Sequence, residues 1–211
     1  MRLRIDHVVL RRGNRNVIND ASYQVAAGEI VALVGANGCG KSTLIAGVAG
    51  ILAPVSGQIT VDDLDVWGKP AAQYAARARF GYVPENADAP GFVTGGELVA
   101  LAAAARQGAV PAPDIADALG LAELAPLRID RMSLGQRRRA CLGAAFAGPP
   151  QLLILDEPDN GLDVARLQTL TLLLRDFAAG GGAVLLASHD RDFATQLDAR
   201  IEQLALQVAT R

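Results

Sequence analysis

The stretch Val31–Thr43, "VALVGANGCGKST", decides the fold of this chain. An apolar run is followed by a glycine-rich turn and then by Lys41 and Ser42, in the spacing GxxxxGK[ST]. In this motif a strand leads into a loop that opens a helix, and the backbone N–H groups of the loop turn toward phosphate oxygens. The lysine neutralises phosphate charge and the hydroxyl can ligate Mg²⁺. A glycine-rich turn without this role is the alternative, and the strand before it and the helical pattern after it favour the phosphate loop.

Three apolar runs predict buried parallel strands. They are "IVALV" (Ile30–Val34), "LLIL" (Leu152–Leu155) and "AVLLA" (Ala183–Ala187). Short continuous runs of this kind are typical of parallel strands that helices cover on both faces, and such sheets bind ligands at the carboxyl ends of their strands.

Polar side chains follow the second and third runs. Asp156 and Glu157 come after "LLIL", and Ser188 and His189 come after "AVLLA". We expect Asp156 to hold Mg²⁺, directly or through water, and Glu157 to orient or deprotonate an attacking water. A neutral imidazole at position 189 could contact phosphate and that water. Taken alone, each of these short motifs could simply be the start of a loop. The phosphate loop at the same sheet edge favours a catalytic role for them.

The rest of the chain predicts two additions to this α/β core. "RLRIDHVVL", "ASYQVAAGE" and "GQITVDD" alternate polar and apolar residues, as short antiparallel strands do, with a turn at "RRGNRN" between the first two. The stretch 95–127 is rich in alanine and helical in character, with breaks at Pro111 and Pro113. We predict one domain, 1–211, with a mostly parallel sheet, an N-terminal antiparallel β subdomain and a small helical subdomain over about 86–134.

Composition excludes several classes of protein. The formal charge of −2 gives no general attraction for nucleic acid or an anionic membrane. Two cysteines are too few for a disulfide framework, so a cytosolic chain is the expectation. The first residues, "MRLRIDHVVLRR", lack the apolar segment of a signal peptide, and no apolar run reaches the ~20 residues of a membrane helix.

A second anion site is predicted at "MSLGQRRR", Met132–Arg139. Ser133 is a good N-cap and Gln136 completes a capping box, so a helix begins here and its free N–H groups suit a phosphate. The three arginines that follow are about 100° apart around a helix and form no flat basic patch. No aromatic residues are interleaved with them to stack on bases, so we expect no nucleic acid partner.

The order of the four elements, phosphate loop, "MSLGQ", "LLILDEP" and "SHD", resembles the ATP-binding cassette (ABC) family over essentially the whole chain. The resemblance implies an ATPase with ATP and Mg²⁺ as cofactors. It also implies a dimer, here expected to be a homodimer, that clasps two ATP molecules head to tail. Ser133, Gly135 and the helix N-terminus would then hold the γ-phosphate of the ATP on the partner's phosphate loop.

The same resemblance assigns residues to the site. The nucleotide contacts it implies are Arg12, Gly35, Asn37, Gly38, Cys39, Gly40, Lys41, Ser42, Thr43, Ser133, Gly135, Gln136 and Asp163. The catalytic assignments are Glu157, His189, Glu85 and Lys41, and the metal assignments are Ser42, Asp156 and Glu85.

Three positions depart from the usual family pattern. Leu134 stands in the signature where glycine is common, although Ser133 and Gly135 remain. Glu85, in "GYVPENADAPGF", stands where glutamine is usual, can still approach Mg²⁺ and water, and resembles exporter-type cassettes. Arg12 aligns with the aromatic residue that stacks on adenine, and a guanidinium plane can also stack on a base.

The sequence therefore predicts the ATPase subunit of a transporter, and Glu85 favours an exporter. Its permease would be a separate membrane protein that docks on about 86–100 and the helical insertion, which would hold the subunit at the cytoplasmic face of the membrane. One alternative is a soluble cassette ATPase of translation or DNA repair, but the chain holds a single cassette without a coiled coil. The other is a regulatory module with little turnover, but Glu157 and His189 are both present.

Overall fold

Two β-sheets and the helices packed on them make up residues 1–148 and 150–204, which the computed structural model describes. The strands are β1 (Leu3–Arg12), β2 (Arg15–Val25), β3 (Ile30–Val34), β4 (Ser56–Val61), β5 (Leu64–Asp65), β6 (Phe80–Val83), β7 (Leu152–Asp156), β8 (Ala183–Ser188) and β9 (Arg200–Gln203). The helices are α1 (Lys41–Val48), α2 (Pro70–Arg77), α3 (Gly95–Ala105), α4 (Pro113–Ala118), α5 (Leu121–Leu124), α6 (Leu134–Phe146), α7 (Val164–Ala179) and α8 (Arg191–Gln196), with a 3₁₀ turn at Ile129–Arg131.

The larger sheet is parallel throughout, in the order β6-β7-β8-β3-β9. The three predicted buried strands are confirmed as β3, β7 and β8. Along β3, Val31 and Leu33 join one hydrophobic core while Ala32 and Val34 join the other, so both faces are covered. The carboxyl ends of β3, β7 and β8 lie side by side, and the residues that follow them meet at one edge of the sheet.

The smaller sheet is antiparallel, in the order β2-β1-β4-β5, and confirms the predicted N-terminal β subdomain. The turn between β1 and β2 is tighter than predicted, because the ladder runs on until Arg12 pairs with Arg15. Only Gly13 and Asn14 remain between the strands, and Gly13 has a φ of 57°, a conformation that glycine adopts at little cost. The consequence is that Arg12 lies at the very end of the hairpin.

The middle of the chain is helical, as predicted, and has a small core of its own. Thr94 caps α3 through a capping box, and Pro113 occupies the start of α4, where a missing N–H costs nothing. The buried residues of this core are Val93, Leu124, Ile129, Met132 and Ala140. The bounds of this subdomain, 86–134, remain a prediction.

Helix α1 lies between the two sheets, and this fixes the loop that precedes it. Leu44, Ile45 and Val48 are buried in the core that β1, β2 and β4 share with one face of the parallel sheet. The other face of that sheet is covered by α6, α7 and α8. None of the helices in the described part of the chain combines the length and the apolar character needed to cross a membrane.

Candidate functional site

The loop between β3 and α1 is closed over its own lysine. Gly40 has a φ of 109°, and a Cβ at Gly35 would lie 2.6 Å from the carbonyl oxygen of Leu204, so these positions need glycine. The Lys41 ammonium donates to the carbonyl oxygen of Gly35 at 2.9 Å and lies 3.6 Å from a carboxylate oxygen of Glu157. The loop therefore has the compact glycine-dependent conformation that the motif requires, with the lysine held at its centre.

An oxygen-rich corner lies beside the loop. The Ser42 hydroxyl donates to the Asp156 carboxylate at 3.1 Å. Burial raises the pKa of Asp156 to about 6, and the bond from Ser42 opposes this rise only in part. A buried carboxylate that lacks a full countercharge, next to a hydroxyl, is a donor set that fits Mg²⁺.

Glu157 and His189 form an acid–imidazole pair. Nδ1 of His189 lies 2.7 Å from Oε2 of Glu157, and the backbone N–H of His189 donates to the same oxygen at 3.2 Å. The bond to Glu157 raises the pKa of His189. A carboxylate held in this way can accept a proton from a water molecule, and the imidazole can orient that water.

Lys41, Ser42 and Glu157 line one cavity of about 500 Å³, and Asp156 and His189 are hydrogen-bonded to the last two of them. Its walls are formed by Arg12, Val17, Asn37, Gly38, Gly40, Lys41, Ser42, Thr43, Glu85 and Glu157. In its wall, Nε of Arg12 donates to the Thr43 hydroxyl at 3.2 Å, and the two acidic lining residues are Glu85 and Glu157. Cys39 is buried behind the loop, with its sulfur against Gly35, as a small filler would be.

The second predicted anion site lies elsewhere. Helix α6 begins after Ser133, and the capping box with Gln136 is confirmed, with bonds of 2.9 and 3.2 Å. A Cβ at Gly135 would lie 3.0 Å from the carbonyl oxygen of Gly161, which leaves little room for a side chain. Asp163 accepts the backbone N–H of Arg166 and so caps α7.

A second cavity, of about 650 Å³, opens at this helix start. It is lined by Ser133, Leu134, Gly135, Gln136, Arg139, Gly161, Asp163 and Arg166. Among the residues that the structure describes, none lines both cavities. Within one chain, the structure therefore brings the phosphate loop together with the carboxylates and His189, but does not bring "MSLGQ" to them.

Sequence reasoning missed two residues that contact the segments carrying the site residues. The side chain of Arg138 is buried and donates to the carbonyl oxygens of Glu157 and Glu85. Asp159 accepts the Ser188 hydroxyl at 3.1 Å, and burial raises the pKa of its carboxyl group. The arginine run does fan around the helix as predicted, but nothing in a run of three arginines shows which of them turns inward.

The comparisons with known proteins agree with this geometry. A family model described as "ABC transporter" matches residues 18–160. The chain belongs to the ABC transporter family. The antiparallel sheet, the parallel sheet with its helices and the phosphate loop are thus those of an ABC ATPase cassette.

Individual relatives match over most of the chain. The Nod factor export ATP-binding protein I of Bradyrhizobium diazoefficiens is 35% identical, over 93% of this chain and 66% of the relative. The aliphatic sulfonates import ATP-binding protein SsuB 2 of Burkholderia cenocepacia is 34% identical, over 92% of this chain and 70% of the relative. The chain thus spans about two thirds of the length of these relatives. A solved ATP-binding cassette, in a dimeric post-hydrolysis state with ADP and phosphate, has the same fold, with a TM-score of 0.85, 22% identity and coverage of 99% of this chain and 97% of that one.

Proposed function

We propose that this chain is the ATP-binding and ATP-hydrolysing subunit of an ABC transporter and that it energises a separate membrane permease. One observation carries the proposal: Lys41, Ser42 and Glu157 line a single cavity, where Ser42 is hydrogen-bonded to Asp156 and Glu157 to His189. Phosphate binding, a cation site and a general base are the three components that hydrolysis of a nucleoside triphosphate needs. A regulatory module without turnover would not need the third.

Each residue has a role that its position supports. The N–H groups of the loop 35–40 and the ammonium of Lys41 bind the phosphates. Glu157 takes a proton from the attacking water and His189 orients that water. Arg12, which lines the cavity and donates to the Thr43 hydroxyl, stacks on the base through its guanidinium plane.

The oxygen donors of Ser42 and Asp156, with Glu85 on the same cavity wall, would hold Mg²⁺. When it is bound, the ion supplies positive charge that offsets the charge on the phosphates and on Asp156. The raised pKa of Asp156 supports this assignment, because the structure gives that carboxylate no countercharge strong enough to offset its burial.

The separation of the two cavities supports a homodimer with shared sites. Ser133, Gly135 and the N–H groups of the first turn of α6 would bind the γ-phosphate of an ATP that lies on the partner's phosphate loop. Gln136 contributes by holding the cap, and Asp163 lines the same cavity. The dimeric state described for a cassette of the same fold agrees with this arrangement.

The assignment to a transporter implies a second partner, the membrane permease. The permease would dock on 86–100 and the helical insertion, where Phe92 is 75% exposed, and would hold the subunit at the inner face of the membrane. Glu85 favours export, as in exporter-type cassettes, and one relative is named for export while another is named for import. No basic surface for nucleic acid is formed by the arginine run, because Arg138 and Arg139 are buried.

Mixed dimers test the proposal. Lys41→Ala breaks the phosphate loop and Ser133→Arg blocks the signature, so each variant alone is inactive. In a mixed dimer with shared sites, one site carries both changes and the other is intact. Mixing should restore hydrolysis, up to about half of the wild-type rate per mixed dimer if the sites act independently.

The mixed-dimer experiment also has an outcome that would contradict shared sites. If each chain used both elements on its own nucleotide, every site in the mixture would be broken and mixing would restore nothing. Adding Glu157→Gln to both chains separates binding from turnover, because the intact site should still trap ATP. An absence of both activity and trapped ATP would rule out shared sites.

A further inference from the structure

Arg138 lies at a junction between the two cavities. It belongs to α6, five residues after Ser133, and its side chain is 1% exposed. The start of α6 lines the signature cavity, while the guanidinium of Arg138 reaches the segments that follow β6 and β7. The first part of α6 therefore connects the signature cavity with the segments that carry Glu85 and Glu157.

The contacts of Arg138 are with backbone, not with side chains. One terminal nitrogen donates to the carbonyl oxygen of Glu157 at 2.5 Å, and the other donates to the carbonyl oxygen of Glu85 at 2.6 Å. Hydrogen bonds from a charged donor are among the stronger ones in proteins. The two residues held in this way are those whose carboxylates face the phosphate-loop cavity.

The backbone of Glu157 needs such a restraint. Its φ is 49°, in the left-handed region that non-glycine residues rarely occupy. This conformation directs the carboxylate toward His189 and Lys41, and it persists only where the surroundings hold it. The carbonyl bond from Arg138, together with the bond from the N–H of Glu157 to Ala187, supplies two such restraints.

Packing alone does not explain an arginine at this position. Burial of a guanidinium is costly and is repaid only when its donors are satisfied or acidic groups lie close by. Here two donors are satisfied by carbonyls, and Asp159, Glu157 and Asp156 are the acidic groups that face the cation. Its Nε has no hydrogen-bond partner among the described residues. The guanidinium is therefore positioned to bond the two carbonyl oxygens, and not to satisfy all of its donors.

We propose that Arg138 is a positioning residue for hydrolysis, which holds the backbones at Glu85 and Glu157 against the helix whose N-terminus contacts the partner's nucleotide. The coupling between sites rests on the shared-site dimer proposed above. Arg138 thereby ties engagement of the signature to the placement of the base in its own site. Its loss should slow turnover while ATP binding, which depends on the phosphate loop, continues.

A matched control exists in Arg106. This arginine also pins separate elements together through carbonyl oxygens, those of Phe80, Ala144 and Ala147, at 2.7 to 3.0 Å. It lines neither of the two cavities. Both Arg106→Gln and Arg138→Gln should lower the melting temperature, but Arg106→Gln should leave kcat of the folded protein unchanged.

The first experiment measures kcat, KM and the affinity for labelled ATP in homodimers. Arg138→Gln should lower kcat by about tenfold or more, the scale expected for a misplaced catalytic group, with KM and ATP affinity within roughly twofold of wild type. Arg138→Lys, which keeps the charge but not the fork of two nitrogens, should give an intermediate kcat. An unchanged kcat, or equal losses in kcat for the Arg106 and Arg138 variants, would overturn the proposal.

The second experiment uses the mixed dimer of Lys41→Ala and Ser133→Arg chains. Arg138→Lys is added either to the Ser133→Arg chain, which supplies the phosphate loop and Glu157 of the intact site, or to the Lys41→Ala chain, which supplies only its signature. Turnover should fall in the first placement and hold in the second. A fall only in the second would show that Arg138 acts through the signature and would contradict the proposal. If the unmodified mixture shows no activity, the shared-site dimer fails, while the homodimer kinetics still decide whether Arg138 positions Glu157.

Discussion

Two acidic residues at the end of β7 have unfavourable environments in the folded chain. Glu157 occupies a left-handed conformation, and Asp156 is buried with a raised pKa. Strain and incomplete neutralisation of this kind concentrate at functional sites, where the surrounding structure offsets their cost. At the scale of single residues, the chain gives up stability at these positions in a way that suits ligand binding and proton transfer.

Replacement of Glu157 by Gln should nearly abolish ATP hydrolysis while ATP binding is retained. The amide keeps the shape of the side chain but cannot accept the proton of water, and general-base catalysis is worth about 10²–10⁴-fold. Phosphate release and binding of labelled ATP are measured on the same preparation, with Lys41→Ala as the control that should lose binding. Turnover close to wild type would remove Glu157 from the role of base.

Replacement of Asp156 by Asn should stabilise the metal-free protein, by on the order of 2 kcal/mol at pH 8. The folded-state pKa of Asp156, about 6, lies above its ordinary value of 3.8, so the ionised carboxylate disfavours the folded state. That cost is fully present above about pH 6 and is lost as the pH falls toward 4. Denaturant unfolding of both proteins in a chelator, from pH 8 to 5, should show the gain of the variant shrinking. A gain that grows at low pH would contradict the assignment.

At the scale of secondary-structure elements, two helices begin with the same kind of capping box. Thr94 with Glu97 begins α3, and Ser133 with Gln136 begins α6. The local hydrogen bonds are alike, with the side chain of each N-cap residue accepting a backbone N–H at 3.2 Å. Only the start of α6 opens into a cavity lined by Arg139 and Arg166. The same local cap therefore stands in two different surroundings, and only that of α6 suits the proposed anion site.

Replacement of each N-cap residue by aspartate should distinguish helix capping from phosphate binding. Asp is as good an N-cap as Ser or Thr, so Ser133→Asp and Thr94→Asp should both change the free energy of unfolding by less than about 0.5 kcal/mol. Ser133→Asp places a negative charge where a γ-phosphate would bind and should lose most ATPase activity, while Thr94→Asp should keep it. Unfolding and ATPase assays on the pair provide the check, and equal activities would argue against phosphate at α6.

At the scale of the whole molecule, the helical segment exposes large apolar side chains that line neither of the two cavities, among them Phe92, Leu101 and Val110. Phe92 lies in the stretch between β6 and α3 and is the most exposed of its large apolar residues. Glu85, at the phosphate-loop cavity, is only a few residues earlier in the chain. A partner that bound at Phe92 would therefore be close in sequence to the catalytic edge, which suits a permease whose movement is linked to ATP.

Phe92→Ser should weaken association with the permease and leave ATP hydrolysis by the isolated subunit unchanged. The substitution removes an exposed aromatic anchor, and such residues contribute about 2 kcal/mol or more at interface hot spots. Leu172→Ser, on the exposed face of α7, is the control for loss of a large apolar side chain elsewhere. Co-purification from detergent-solubilised membranes measures both variants. Equal recovery of the permease with either would place the docking surface elsewhere.

Features that depend only on neighbours in the chain could be predicted from the sequence. The phosphate loop, the strands β3, β7 and β8, and the capping box at Ser133 were all predicted, because each needs only local spacing and a local run of apolar residues. The identity of Asp156, Glu157 and His189 as one cluster followed from the rule that parallel strands end at the same edge. The short strands β5, β6 and β9 were not predicted, since a few residues give no periodic signal.

The orientation of buried side chains and the separation of the two cavities depend instead on long-range packing. Arg138 is buried against Glu85 and Glu157 because α6 packs on the parallel sheet with that side inward. The rotation of a helix about its axis, relative to the sheet, cannot be predicted from a run of three arginines. The separation of the phosphate-loop and signature cavities likewise depends on long-range packing, because α6 and α1 contact the sheet from opposite faces. Local chemistry is encoded by adjacent residues, whereas its arrangement in space is set by the core that joins distant ones.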